Sequence, residues 1–188
     1  MIAGIVLTIV AIYGRRLWRL RRRRLRMAVI DRFGAPSPVT ELNRFQALGG
    51  PLTMRDIADE DIQQVVALWN AAGVARSWNE PARDIAFARR DAHSTVLVGI
   101  EAGQVVASAM VGEDGHRGWV YYVAIAPERQ RGGLGRVMMQ AAEDWLIKRG
   151  VWKVQLLVRA DNAKAARFYE QLGYRDTGSV CLQKILET

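Results

Sequence analysis

The sequence predicts an α/β domain of the α+β kind, built on a mixed, mostly antiparallel sheet of about six to seven strands with about four helices. Three observations carry that reading. Residues 95–101 and 105–113 are strand-like runs joined around Ala102-Gly103-Gln104, a turn compact enough for an antiparallel hairpin. Residues 119–126 read as a buried strand that leads through a Gly-rich turn into a long amphipathic helix and then a second strand, 153–158. A strand–helix–strand unit of that length is a right-handed crossover, so its two strands run parallel.

The remaining elements follow in order. Residues 52–57 open the domain as a strand. Asp59 caps a helix to about Asn70, with Ile62, Val65, Val66 and Trp69 on one face. A loop over 73–80 contains Ser77-Trp78-Asn79, and Pro81 begins a short helix to about Arg90, Pro being favoured in a first turn. Asp114-Gly115-His116-Arg117-Gly118 is the turn before the next strand. The long helix carries a core stripe of Leu134, Val137, Met138, Ala141, Trp145 and Leu146, and Gly150 stops it. Asp161 or Asn162 caps a last helix that runs from Ala163 to Leu172 and ends at Gly173. Residues 174–176 and 179–185 close the sheet.

With 188 residues, 50% hydrophobic and 24% charged, the chain suits one domain with a sizeable core. Its net charge of +8 resembles a nucleic-acid signature until it is divided by region. Residues 1–53 hold ten arginines against Asp31 and Glu41, which accounts for the whole excess. Residues 54–188 balance seventeen cations against seventeen carboxylates. The folded part is neutral, so no nucleic-acid partner is expected for it.

Residues 1–13 are almost wholly apolar, and eight arginines follow over 15–26. Thirteen residues fall short of the roughly 20 that a bilayer-spanning helix needs. A secretory signal carries its positive charge before the apolar run, and here the order is reversed. That order suits a short anchor, or a basic helix at the inner face of a membrane. An over-extended start is the alternative, since Met27 and Met54 offer internal starts. The expected organisation is therefore an apolar and Arg-rich segment over 1–26, a linker over 27–51 and a domain over 52–188. Cys181 is the single cysteine, read as a small buried thiol. His93 and His116 are the only histidines, and no metal-ligand cluster is visible.

The chemistry concentrates at Val123-Ala124-Ile125-Ala126-Pro127-Glu128-Arg129-Gln130-Arg131-Gly132-Gly133-Leu134-Gly135-Arg136. A buried strand, a Pro break, a basic Gly-rich turn and a helix N-terminus fall together there. Such a place offers unpaired N–H groups, a helix dipole and arginines, which bind phosphate. Three glycines would allow positive φ and close approach of an anion. A phosphate-carrying small molecule is the implied ligand class.

These residues resemble the GNAT superfamily of acetyl-CoA-dependent N-acetyltransferases. The family's Q/R-x-x-G-x-G/A signature is filled by Gln130, Gly133 and Gly135. Its second feature matches at Asn162, Ala165, Phe168, Tyr169, Leu172, Gly173 and Tyr174, in the family's order and separation. The resemblance covers about 52–186 and none of the N-terminal segment. It implies a GNAT fold whose parallel central pair splays apart. It also implies that the backbone across Arg131, Gly132, Gly133, Leu134, Gly135 and Arg136 binds the cofactor pyrophosphate. Arg131 and Arg136 are rated above Arg129 as added charge. Backbone groups of Val123 and Ile125 would pair with the pantetheine arm, an N–H near Val123 would serve the oxyanion, and Asn162 would act as a cap or a cofactor-side hydrogen bond.

Tyr169 is the expected general acid for the departing thiolate, against a role as a packed ring. Glu113 is the first candidate to accept the amine proton, followed by Asp114 and His116. Tyr121 and Tyr122 alternate along a strand, so one is expected to face the acceptor cleft and the other the opposite side. Trp78 is a candidate for the pocket lining. The activity implied is transfer of acetyl from acetyl-CoA to a primary amine of a small molecule or protein, directly in a ternary complex, by a cytoplasmic enzyme that needs no metal. The alternative is a non-catalytic acyl-CoA sensor with the same fold, tethered at a membrane. The partners implied are acetyl-CoA and an amine acceptor, with a membrane surface for 1–26 and a homodimer left open.

Overall fold

Five strands form one sheet in the order β1-β2-β3-β4-β5. They are β1 (Thr53–Asp56), β2 (Ser94–Glu101), β3 (Gln104–Glu113), β4 (Gly118–Ile125) and β5 (Val154–Leu156). The computed structural model describes residues 51–186. The segment expected over 1–26 and the linker as far as residue 50 lie outside the described residues. Met54 lies within β1, opposite Gly99 of β2.

The first three pairings are antiparallel and the last is parallel, as the crossover requires. The hairpin turn is two residues long: Glu101 pairs with Gln104, and Ala102 and Gly103 take φ of 48° and 77°. Positive φ at both central positions is the turn whose twist matches that of the strands.

Among the described residues four α-helices accompany the sheet: α1 (Ile62–Ala71), α2 (Pro81–Ala88), α3 (Leu134–Lys148) and α4 (Ala163–Gln171). α1 and α3 both pack on β3 and β4. Val105 to Ala109 is buried without alternation, the pattern of a strand covered on both faces. Asp59 does not cap α1. Asp59–Asp61 form a single 3-10 turn, and the buried Asp61 carboxylate accepts from the Ala58 N–H (2.8 Å) while Arg55 grips it at 2.5 and 3.0 Å. That clamp delays the α-helix to Ile62.

The sheet has fewer strands than expected, and the difference lies at its C-terminal side. β5 is three residues long and partly exposed, and the parallel pair forms one edge of the sheet. Residues 174–176 and 179–185 form no strand among the described residues. Asp176 instead accepts from the Gly178 N–H (2.8 Å), and Gly178 takes φ 67°, which turns the chain there. Val180, Leu182 and Ile185 are residues a buried strand would cover, yet each is at least 80% exposed. Strand propensity without a paired neighbour does not make a strand. Cys181, read as buried, is exposed for the same reason.

Candidate active site

The site grows from an irregularity in β4. Met110 faces Tyr121 and Ser108 faces Ala124, so Tyr122 and Val123 together oppose the single residue Ala109. This is a β-bulge, and Tyr122 absorbs it at φ 49°. Strict alternation fails at that point. Tyr121 and Tyr122, expected on opposite faces, line the same cleft.

The other side of β4 is open. Parallel pairing with β5 stops at Val120 opposite Leu156, so the strand continues to Ile125 without a neighbour there. On the β3 side the Ala126 N–H donates to the Val106 carbonyl at 2.9 Å. Because ladder hydrogen bonds alternate, Ala124 also faces β3, and the Ile125 N–H between it and Ala126 faces the opening. This is the geometry an extended, amide-bearing ligand arm needs.

The turn after β4 is fixed by side chains. Arg129 forms a fork-to-fork ion pair with Glu101, which is 4% exposed. Arg129 is therefore committed to the β2–β3 hairpin, while Arg131 and Arg136 stay exposed. Gln130 Nε2 donates to the Ile125 carbonyl at 3.3 Å and ties the turn to the strand end. Of the three glycines only Gly133 has positive φ, 89°, and it shares that conformation with Arg131 at 63°. Gly133 is also the N-cap of α3, with no side-chain cap; the Arg136 N–H turns back to the Gly133 carbonyl at 2.9 Å, and the N–H groups of Leu134 and Gly135 are left for an anion. Leu134 is buried and offers only its backbone.

Gly135 has a packing task as well. A Cβ there would lie 3.2 Å from Phe168 Cζ and 3.8 Å from Ile125 Cγ1. Its missing side chain is the space into which α4 packs. Asn162 caps α4, its Oδ1 accepting from the Ala165 N–H at 3.0 Å. Phe168 and Tyr169 both pack against the core. Tyr169 meets Phe168 and Tyr174 edge-on, at 5.1 and 5.7 Å between centroids. Burial alone raises the Tyr169 pKa, and among the described residues its hydroxyl has no hydrogen-bond partner. The neighbouring Tyr174 hydroxyl is committed, donating to Glu143 Oε1 at 3.0 Å.

The structure does not bring Glu113 to this place. Glu113 faces Gly118 at the start of β4, five residues before Val123, which is about 15 Å along the strand. Its carboxylate takes His93 Nδ1 at 2.5 Å and the Gly115 N–H at 2.7 Å, and these bonds lower its pKa. Asp114 belongs to the same turn. The Trp119 indole N–H and the backbone N–H groups of Arg117 and His116 hold its pKa at about 2. Trp78 is 70% exposed and is absent from the cleft lining.

Two residues that line the cleft were missed, Asn79 and Asp84. The Tyr122 hydroxyl donates to Asp84 Oδ2 at 2.6 Å and accepts from Asn79 Nδ2. Burial, then the Asp84 hydrogen bond, push the Tyr122 hydroxyl up to about 12. Asp84 looks in sequence like an ordinary first-turn acid of α2, and its partner is 38 residues away. No local signal marks it. Among the described residues, no group of three or more His, Cys, Asp or Glu is placed to hold a metal ion, and no helix is long and apolar enough to cross a membrane.

Comparison with known proteins places this geometry. The family described as Acetyltransferase (GNAT) family matches residues 56–174. The chain is 36% identical over 131 residues to acetyltransferase SG1711 of Sodalis glossinidius, covering 70% of this chain and 92% of that protein. Among solved structures it is similar to the ribosomal-protein-S18-alanine N-acetyltransferase of Escherichia coli, with 26% identity, a TM-score of 0.55 and coverage of 65% of this chain and 76% of the other. A transcriptional regulator from Bacillus halodurans shares the fold at 19% identity and a TM-score of 0.64, covering 71% and 99% of the two chains.

Proposed function

This chain belongs to the GNAT acetyltransferase family and is an acyltransferase; from that premise we propose that it transfers acetyl from acetyl-CoA to a primary amine, directly, with both substrates bound together. The family uses acetyl-CoA as its acyl donor. The observation that carries the reading is the open edge of β4, where the Ile125 N–H faces outward ahead of the uncapped N-terminus of α3.

The residues divide the work. The outward N–H of Ile125 pairs with the pantetheine amide chain, and the Arg131–Arg136 backbone receives the pyrophosphate. Arg131 and Arg136 add charge from the rim. Gln130 acts by holding the turn against the strand end. Asn162 keeps α4 in place through its cap. The Val123 N–H donates to the thioester carbonyl, where negative charge develops during attack. In the reaction the amine lone pair forms the new C–N bond, the C–S bond breaks, and CoA leaves as the thiol. Tyr169 gives its proton to the leaving sulfur, and the proton lost by the amine restores it through water.

Calorimetric titration of the whole chain with acetyl-CoA, run beside Gly133→Val, tests this. Binding to the parent and loss in the variant, followed by amine-dependent release of CoA thiol, is the expected result. Binding without release for any primary amine would leave the sensor reading in its place.

A further inference from the structure

Resting on the acyl-transfer reading, we infer that the cleft between α2 and β4 is the acceptor site. Within it, Asp84 receives the ammonium of a compact amine carried on an apolar or aromatic body. The cleft has a volume of about 360 Å³. That is the small end of the range for small-molecule sites, roughly 300–1,000 Å³. Phe87, Met110, Tyr121 and Tyr122 are the large apolar and aromatic residues of its wall. Phe87 is 62% and Tyr121 40% exposed, and the Arg90 guanidinium stacks 3.9 Å over the Phe87 ring, so the mouth is aromatic with one cation at its rim. Val123, to which the acyl position is assigned, directly follows Tyr122 of the lining in β4.

Its polar groups are few and mostly engaged. Ser94 Oγ donates to the Ala88 carbonyl at 2.8 Å, and Asn79 Nδ2 donates to the Tyr122 hydroxyl. Asp84 is the single carboxylate on the lining, and no Lys or Arg lies there. Tyr122 occupies only Oδ2, at 2.6 Å, and among the described residues Oδ1 has no partner. Tyr122 thereby orients the carboxylate and leaves one oxygen for an ammonium. A polyamine or a lysine-rich peptide would bring several charges to one carboxylate and press the rest against aromatic rings, which disfavours them.

The test is steady-state CoA release with 2-phenylethylamine, spermidine and a lysine peptide, using the parent, Asp84→Asn and Phe87→Ser. Asp84→Asn keeps the shape and still accepts from Tyr122. The parent should prefer 2-phenylethylamine. Asp84→Asn should raise the amine KM about tenfold or more, from loss of a charge-assisted bond, and leave the acetyl-CoA KM unchanged. Phe87→Ser, at an exposed position, should lower kcat/KM for 2-phenylethylamine severalfold by removing apolar contact. An unchanged amine KM in Asp84→Asn, or parent preference for spermidine or the peptide, overturns the inference while acyl transfer stands. Failure of the parent to bind acetyl-CoA in calorimetry overturns both.

Discussion

The indole of Trp69 lies flat on the phenol ring of Tyr122, with centroids 4.1 Å apart and planes 8° from parallel. Trp69 is fully buried, and its Nε1–H donates to the equally buried Ser108 hydroxyl at 2.9 Å. The bulged residue of β4 therefore rests on α1, and α1 is bonded to β3 behind it. The wall of the cleft is continuous with the core.

That arrangement predicts a non-additive pair. Trp69→Phe leaves the buried Ser108 hydroxyl without its donor and should cost about 1–3 kcal/mol beyond the loss of packing. Adding Ser108→Ala should cost less in that background than in the parent. Urea unfolding of the four proteins measures the coupling.

Tyr169→Phe should lower kcat by about 100-fold or more, the usual range for a lost general acid. Calorimetry should show unchanged acetyl-CoA affinity, because the ring and its contacts with Phe168 and Tyr174 remain.

At Gly118, β4 lies hard against Leu146 of α3. A Cβ there would lie 2.6 Å from Leu146 Cδ1, and Leu146 is 2% exposed. With no room for Leu146 to retreat, Gly118→Ala should destabilise by about 1–3 kcal/mol, read as a fall in urea midpoint. Acetyl-CoA affinity below the transition should change little.

Ala102 occupies a left-handed position at the hairpin tip, at φ 48°. Ala102→Asn creates the turn pair that prefers this conformation and should stabilise by roughly 0.5–1 kcal/mol. A higher melting temperature with unchanged kcat is the expected result.

His93 and Glu113 give a pH dependence. The His93 pKa is raised from 6.5, first by its hydrogen bond to Glu113 and then by that residue's charge. Its contribution is complete below 6.5 and disappears as pH rises through the folded value. The Glu113 pKa is lowered from 4.5, so its contribution is complete above 4.5 and disappears as pH falls through the folded value. The parent's melting temperature should exceed that of His93→Gln most between these limits, and the gap should close at higher pH. The pair is solvent-facing, so the gap should be small and shrink with salt.

The sequence by itself determined the local features. The period of α3, the stop at Gly150, a compact hairpin turn near Gly103 and a cap at Asp161 or Asn162 all rest on residues within a few positions of one another, where propensity and hydrogen bonding act directly. The Gly-rich turn was legible for the same reason, since Gln130, Gly133 and Gly135 are close in the chain. Tertiary structure alone decided the rest. Whether 179–185 becomes a strand depends on a partner strand, and whether Gly135 meets a ligand or Phe168 depends on how α4 docks. The bulge at Tyr122 is a mismatch between two strands and is invisible in either. Asp84 faces the cleft because α2 lands beside that bulge, which joins residues 38 apart. Contacts across such separations are set by packing, and a one-dimensional pattern carries no record of them.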